Sequence, residues 1–313
     1  MSDTKPIATR DGYGKALIAL GKKNPNVVVI DADLGKSTRS NAFGKEFPDR
    51  YFNVGISEQD MVVCAAGLAS CGKISFANTF AIFSERAFEQ IRNSLSRMNA
   101  NVKVIGSHGG IQVGEDGTSA QCIEDFAVYR SLPNMVVLNP CDAVETEKAV
   151  YAIAEHNGPV YMRLTRDKLP IIFDDKYKFQ IGKGVVVRKG KHAVIFATGA
   201  LVPEALKAAE ILAAEKIEII IVNIHTIKPL DEELVVKLAK ETGVVITAED
   251  HNIIGGLGTA VADTLAGKFA FKFEKIGLKD SYAESGTPQE LYKKYGLSSE
   301  NIAENVRRLL KSK

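Results

Sequence analysis

Short β-branched runs alternate with amphipathic stretches along most of this chain. Val27–Ile30, Ile74–Ala77, Val102–Ile105, Met135–Leu138 and Val160–Leu164 are compact apolar runs that read as buried strands. Helical periodicity fills the intervals at 11–22, 57–70, 81–99, 123–130 and 143–156. Strands alternating with helices imply a parallel sheet covered on both faces. From Thr165 to Gly184 the pattern fails: the stretch is charged, mixed and interrupted by Pro170. A second block then begins, with strands at 193–196, 218–222 and 244–247 and helices at 203–215, 231–241 and 258–266. Pro203 and Asp231 stand where helix-start residues belong. The tail from Ser298 reads as one amphipathic helix. The expectation is an α/β protein with two parallel or mixed-sheet domains, residues 1–168 and 185–313, joined by a linker at 169–184.

The stretch YFNVGISEQDM, from Tyr51 to Met61, stands out within this frame. Phe52-Asn53-Val54 reads as a short strand, Gly55 breaks it, and Ser57 is placed to cap a helix that is nearly all apolar. Glu58 sits in the first turn of that helix. A carboxylate there is either a helix cap or a buried group with a raised pKa, and residue type alone favours the cap. Asp33, after the strand VVVID, reads by itself as a turn residue. Phe80 and Phe83 are three apart, a spacing usual for core aromatics, with Arg86 on the same helical face. His108 to Asp116 is a glycine-rich loop after a strand, and ligands bind at such carboxyl-terminal ends of parallel strands. Arg10 and Arg166 each precede an aspartate and read by residue type as surface ion pairs. Gly35-Lys36-Ser37-Thr38 mimics the end of a P-loop, but Ile30 occupies the position of its first glycine, which excludes that form of nucleotide hydrolysis. The run Gly255 to Gly258 before a helix could suggest an anion site, though it reads better as close packing.

Composition narrows the classes further. The chain has 313 residues, 25% charged, with a formal net charge of +2, which argues against a dominant nucleic-acid or acidic-membrane surface. No apolar run has the length of a membrane span, and the start MSDTKPIATRDG has no apolar signal core. Four cysteines form no CxxC pair and five histidines form no ligand-spaced group, so a reduced cytoplasmic protein without its own zinc site is expected.

Four ordered segments carry a family resemblance: VGISEQDM, NTFAIFSERA (Asn78 to Ala87), QVGEDGTS (Gln112 to Ser119) and RSLPNMVVLNPCD (Arg130 to Asp142). Together they resemble the C-terminal half of transketolase, the thiamine-diphosphate enzyme that moves two-carbon ketol units from a ketose phosphate to an aldose phosphate. The resemblance runs from Ala8 to Val261. It implies a pyrimidine-binding domain followed by a transketolase C-terminal domain. Glu58 then becomes the catalytic carboxyl that hydrogen-bonds the cofactor's aminopyrimidine, a role requiring a protonated, desolvated acid. Phe80 and Phe83 become the wall against the pyrimidine, with Arg86 beside them, and Asp33 approaches the thiazolium ring. Arg10, Ser37, His108 and Arg166 are implied to hold a substrate phosphate, and Asp116 a substrate hydroxyl. Where the family often has histidine or glutamine, this chain has Ala120, with Gln121 one place later.

Complete transketolases hold the diphosphate through magnesium on an N-terminal domain with a GDG motif, and this chain has no GDG. The resemblance therefore implies the smaller subunit of a split transketolase of the pentose phosphate pathway. Thiamine diphosphate would be shared with an N-terminal partner subunit carrying the Mg2+ ligands, in an α2β2 heterotetramer. Two other readings remain open at this stage: the β subunit of a 2-oxoacid dehydrogenase E1 component, and a non-catalytic transketolase-like assembly subunit.

Overall fold

A computed structural model describes residues 5–311, so residues 1–4 and 312–313, the outer ends of the two expected domains, lie outside the described residues. The chain divides into two compact units. The first contains the residues up to Gly109 and Val128–Ile181; the second contains Gly110–Ala127 and the residues from Gly182 onward.

In the first unit the strands are β1 (Ile7–Ala8), β2 (Val27–Asp31), β3 (Tyr51–Asn53), β4 (Ile74–Phe80), β5 (Val102–Ser107), β6 (Val136–Leu138), β7 (Val160–Arg163) and β8 (Lys168–Leu169). Within this unit they neighbour one another in the order β6-β7-β5-β4-β2-β3, every pair parallel. All five residues of β2 are buried, as a strand covered on both faces requires. Tyr13 and Leu17 from the helix Thr9–Lys23 and Ile153 from the helix Ala143–Glu155 pack with Val29, Phe76, Ile105, Leu138 and Met162. The single helix expected at 81–99 is broken. A turn Ala81–Ser84, a 3₁₀ turn Glu85–Ala87 and a π-helical stretch Ile91–Ser96 replace it. Each change of pitch rotates the side chains out of the 3.6-residue phase that sequence periodicity assumes, and π stretches are frequent at functional sites.

Two devices close this unit. The antiparallel pair β1–β8 aligns Ala8 with Lys168. Beside it, the buried hydroxyls of Thr9 and Thr165 lie 3.0 Å apart, and the Thr165 N–H donates to Thr9 Oγ1 at 2.7 Å. The expected linker is fastened rather than free. Asp142 caps its helix by accepting from the Glu145 N–H, and its other oxygen accepts from the N–H groups of Ile172 (2.7 Å) and Phe173 (2.8 Å). Tyr177 donates to Glu145 Oε1 at 2.7 Å and stacks on Phe173.

The second unit contains β9 (Val185–Arg188), β10 (Ala193–Ala197), β11 (Ile219–Asn223), β12 (Thr226–Lys228), β13 (Val244–Asn252) and β14 (Lys272–Leu278). Its main sheet runs β14-β13-β10-β11-β9, parallel except for β9. Phe196, Val222 and Val245 pack with Val235, Leu257 and Val261 from its helices. Asp231 caps the helix Glu232–Thr242 as expected, whereas Pro203 falls two residues inside the helix Leu201–Ala213. Sequence periodicity missed β9, β14 and the helix Pro288–Lys294, which Thr287 and Glu290 open with a capping box. Both missed strands are partly exposed edges, and the KFEKIGL sequence of β14 is too rich in charge to read as a buried run.

Asp142→Ala removes a helix cap and orphans two linker N–H groups. It is expected to destabilise the chain by about 2–4 kcal/mol in urea titration. A loss below about 1 kcal/mol would show that the linker does not depend on this carboxylate.

Candidate active site

The carboxyl-terminal ends of the parallel strands of the first unit gather most of the residues singled out from sequence. Asp33 follows β2, Glu58 follows β3, Phe80 ends β4 with Phe83 just beyond, His108 follows β5 and Arg166 follows β7.

Glu58 opens the helix Glu58–Ser70 and is 1% exposed. Ser57 makes no side-chain cap, contrary to expectation. Glu58 takes side-chain donors instead: Thr79 Oγ1 at 3.3 Å on Oε1 and Arg86 Nη1 at 3.0 Å on Oε2. The Arg86 guanidinium is half-exposed and lies 5.3 Å from the centre of the Phe83 ring. Phe83 stacks on Phe80, centroids 5.6 Å apart and nearly parallel. Phe80 in turn stacks on His108 at 3.8 Å. His108 Nε2 faces Arg10 Nη1 at 3.1 Å, and Arg10 Nη1 also donates to the Ser37 carbonyl at 3.1 Å. One unbroken series of contacts thus runs from Glu58 through Arg86, Phe83, Phe80 and His108 to Arg10 and Ser37.

Because Arg10 can only donate, Nε2 is the acceptor of this pair, which leaves Nδ1–H to donate to Ser107 Oγ at 2.8 Å. His108 is therefore the neutral tautomer, held in a backbone conformation with φ 63°. Burial, and then the charges of Arg10, Arg166 and Arg39, push its pKa down to about 3. Burial also lowers the pKa of Arg10, with Arg39 and Arg166 adding to the effect. The Thr9–Thr165 contact explains how two arginines so distant in sequence come to share a site: each follows one of the stitched threonines.

Asp33 adopts φ 63° at an exposed turn and accepts from Asn53 Nδ2 at 3.0 Å. Asp116 is exposed and belongs to the second unit. Its loop is held there by Asp250, which accepts from the N–H groups of Ile111 (2.9 Å) and Gln112 (3.3 Å) and from the Tyr292 hydroxyl (3.0 Å). Gln121 is buried, and its Nε2 donates to the Glu284 carbonyl. The helix start after Gly255–Gly256 already carries an anion of its own. The Glu249 carboxylate accepts from Leu257 N and Gly258 N, both at 2.7 Å. Sequence reasoning missed Thr79, Asn53 and Arg39: each acts through a partner distant in sequence, and no local spacing marks it.

Two family models match the chain. "Transketolase, pyrimidine binding domain" covers residues 5–171, and "Transketolase, C-terminal domain" covers residues 182–302. The chain belongs to the transketolase family. It is 48% identical to a Methanocaldococcus jannaschii protein that bears the provisional name transketolase C-terminal section, over 95% of this chain and 94% of that one. It is 38% identical to the 6-deoxy-6-sulfo-D-fructose transketolase subunit of a Clostridium species, covering 94% and 91% of the two chains. Human transketolase is 40% identical, but this chain spans only 49% of its length. Among solved structures, a split gene transketolase described as an inactive β4 tetramer superposes with a TM-score of 0.91 at 47% identity, covering 97% of this chain and 98% of that one. The expected α/β class is the fold of this transketolase-family chain. Among the described residues, no helix is long and apolar enough to cross a membrane.

The depressed pKa of His108 gives a stability signature. The folded chain keeps this imidazole neutral down to about pH 3, whereas the unfolded chain protonates it below about 6.5. Its contribution is therefore undiminished above pH 6.5 and is lost progressively as pH falls towards 3. His108→Gln should flatten the fall in urea midpoint between pH 6.5 and 4. An unchanged pH profile would contradict the neutral, buried assignment.

Proposed function

We propose that this chain is the pyrimidine-binding and C-terminal subunit of a split transketolase, transferring two-carbon ketol units from a ketose phosphate to an aldose phosphate. The observation that carries the reading is the contact series from Glu58 to Arg10. It joins a buried carboxyl, an aromatic wall and a cationic pocket within one unit. These residues fit the pyrimidine half of thiamine diphosphate: stacked phenyl rings offer a flat face, and Glu58 is withdrawn from water beside them. Among the matched segments nothing corresponds to the GDG motif, so the diphosphate and Mg2+ are assigned to a partner subunit, in an α2β2 assembly within the cytoplasm. Exposed apolar side chains flank Glu58 in sequence, with Phe52 40%, Ile56 78% and Val63 47% exposed, and such a surface is suited to being covered. The near-complete coverage of a split-gene relative, against half of human transketolase, supports the same division.

Bound thiamine diphosphate would supply the carbon nucleophile that breaks and remakes the ketol carbon–carbon bond. Glu58 would face the pyrimidine ring nitrogen with a carboxyl positioned by Thr79 on Oε1 and Arg86 on Oε2. Phe80 and Phe83 would exclude water on one side of the ring, Arg86 would border it, and Asp33 would approach the thiazolium side. Arg10, Ser37 and Arg166 would hold the terminal anion of the sugar. His108, facing Arg10 with its lone pair, would orient the guanidinium. Ala120 places no proton-transferring side chain at its position.

The Clostridium relative favours a second reading of the substrate, in which the sugar ends in a sulfonate rather than a phosphate. The 2-oxoacid dehydrogenase reading requires decarboxylation of a 2-oxoacid with transfer to a lipoyl group, and the assembly-subunit reading requires no turnover at all.

Ketol transfer from xylulose 5-phosphate to ribose 5-phosphate, with thiamine diphosphate and Mg2+, is expected only when the N-terminal partner subunit is added. Turnover by the purified chain alone would refute the split site. No turnover with the partner, but activity on a 2-oxoacid, would establish the dehydrogenase reading. In the assembled enzyme Glu58→Gln should lower kcat at least a hundredfold. Retention of more than about a tenth of the rate would remove Glu58 from the proton-transfer role.

A further inference from the structure

At the amino-terminal ends of β5 and β7, opposite the candidate active site, the first unit carries a concavity of about 430 Å³. Ala66, Ala69 and Ser70, from the end of the helix Glu58–Ser70, form one wall. The π-helical stretch Ile91–Ser96 and the turn after it form the other, through Asn93, Ser94, Arg97 and Met98. Asn101, which precedes β5, and Asn157, which precedes β7, complete the lining.

Long-range contacts hold both rims in place. The Arg97 N–H donates to the Arg92 carbonyl at 3.0 Å and the Ala100 N–H to the Leu95 carbonyl at 2.9 Å, each five residues back, so this wall keeps the wide pitch of a π turn. Such turns are frequent at functional sites. Ser96 is fixed twice: its hydroxyl donates to the Pro133 carbonyl at 2.6 Å, and its carbonyl accepts from Asn134 Nδ2 at 3.0 Å. Lys103 is fully buried, and its Nζ donates to Asn101 Oδ1 (2.7 Å), the His156 carbonyl (2.7 Å) and the Gly158 carbonyl (2.6 Å). It thereby ties the residues ahead of β5 to those ahead of β7. A site already held in shape loses less free energy to ordering when a ligand enters.

The lining has polar groups to spare. Among the described residues, the side chains of Ser94, Arg97, Asn99 and Asn157 make no hydrogen bond or ion pair with the rest of the protein. Arg97 is the one charged residue of the lining, and no carboxylate there opposes it. A guanidinium fork matches the two oxygens of a planar carboxylate. One cation calls for one negative charge, and a phosphate dianion would keep its second charge uncompensated. Ala66, Ala69, Ala100 and Met98, which is 63% exposed, offer apolar surface to the body of such a ligand. We propose that this concavity is a binding site for a small organic monocarboxylate with an apolar body, anchored by Arg97. The site lies apart from Glu58 and Arg10 and does not depend on the transketolase reading.

The test uses the whole chain at pH 7.5, with benzoate, its neutral isostere benzamide, and inorganic phosphate as probes. Dissociation constants are read from ligand-observed NMR titrations. Wild type should bind benzoate with a dissociation constant on the order of 1 mM, as suits so small a ligand, and about tenfold more tightly than benzamide or phosphate. Arg97→Met should weaken benzoate about tenfold and leave benzamide within about twofold. Arg97→Lys, which keeps the charge without the fork, should restore only part of the loss. Ala69→Phe, which fills the concavity, should abolish binding of both aromatic probes. Arg10→Leu, in the candidate active site, should leave benzoate binding unchanged. Arg97 is exposed, so its variants keep the fold and the test stands even where Ala69→Phe does not fold. No benzoate binding up to about 10 mM overturns the proposal. So does a loss that follows Arg10→Leu while Arg97→Met is silent. Phosphate bound as tightly as benzoate overturns the ligand class.

Discussion

The desolvation of one carboxyl group organises the first unit. Glu58 is almost completely out of water at the start of a helix, and a group in that position must be met by donors or lose several kcal/mol. The helix itself does not meet it, because neither Ser57 nor the first turn supplies a side-chain cap. Thr79 and Arg86 do, and they come from β4 and from the 3₁₀ turn beyond it. That turn is where a regular helix from Ala81 onward would have been expected. The irregular pitch that frustrates the sequence pattern is thus tied to the donor that Glu58 requires.

The same segment supplies the two phenyl rings, and through them the carboxyl end of the site is connected to its cationic end. Phe80 touches Phe83 on one side and His108 on the other. Stacking against a phenyl ring and accepting a hydrogen bond from Arg10 both suit a neutral imidazole, and burial, with the surrounding guanidiniums, enforces that state. The stacked rings of Phe83, Phe80 and His108 therefore separate the Glu58–Arg86 pair from Arg10, with Phe80 and His108 at the ends of adjacent strands of a parallel sheet.

Much of this was legible in the sequence, and the parts that were not share a cause. The alternation of buried runs and amphipathic stretches revealed the α/β class, because β2, β4, β5 and β7 are interior strands, buried along nearly their whole length and rich in apolar residues. β9 and β14 were hidden, since edge strands carry charge and mixed burial. The ordered segments around Glu58, Phe80 and His108 pointed to this candidate site through family resemblance, whereas local spacing alone favoured a helix cap for Glu58 and core packing for the phenylalanines. Arg39 and Thr79 were invisible because their partners, Asp11 and Glu58, are brought close only by the fold. The stretch after β8 stood out by its composition, but its attachment did not: the carboxylate of Asp142 holds it through backbone N–H groups, which no side-chain pattern reports.

The threonine stitch has a consequence for how the site comes into being. Thr9 and Thr165 are separated by 156 positions, and Arg10 and Arg166 follow them at the same separation. A nascent chain emerges amino-terminus first, so Arg10 waits through the synthesis of nearly the whole first unit before its counterpart exists. Strands β2 to β7 can pair during that interval, yet the cationic pocket cannot close until β8 arrives to lie against β1. The cationic end of the site is therefore completed only after every strand of the sheet beneath it has been translated.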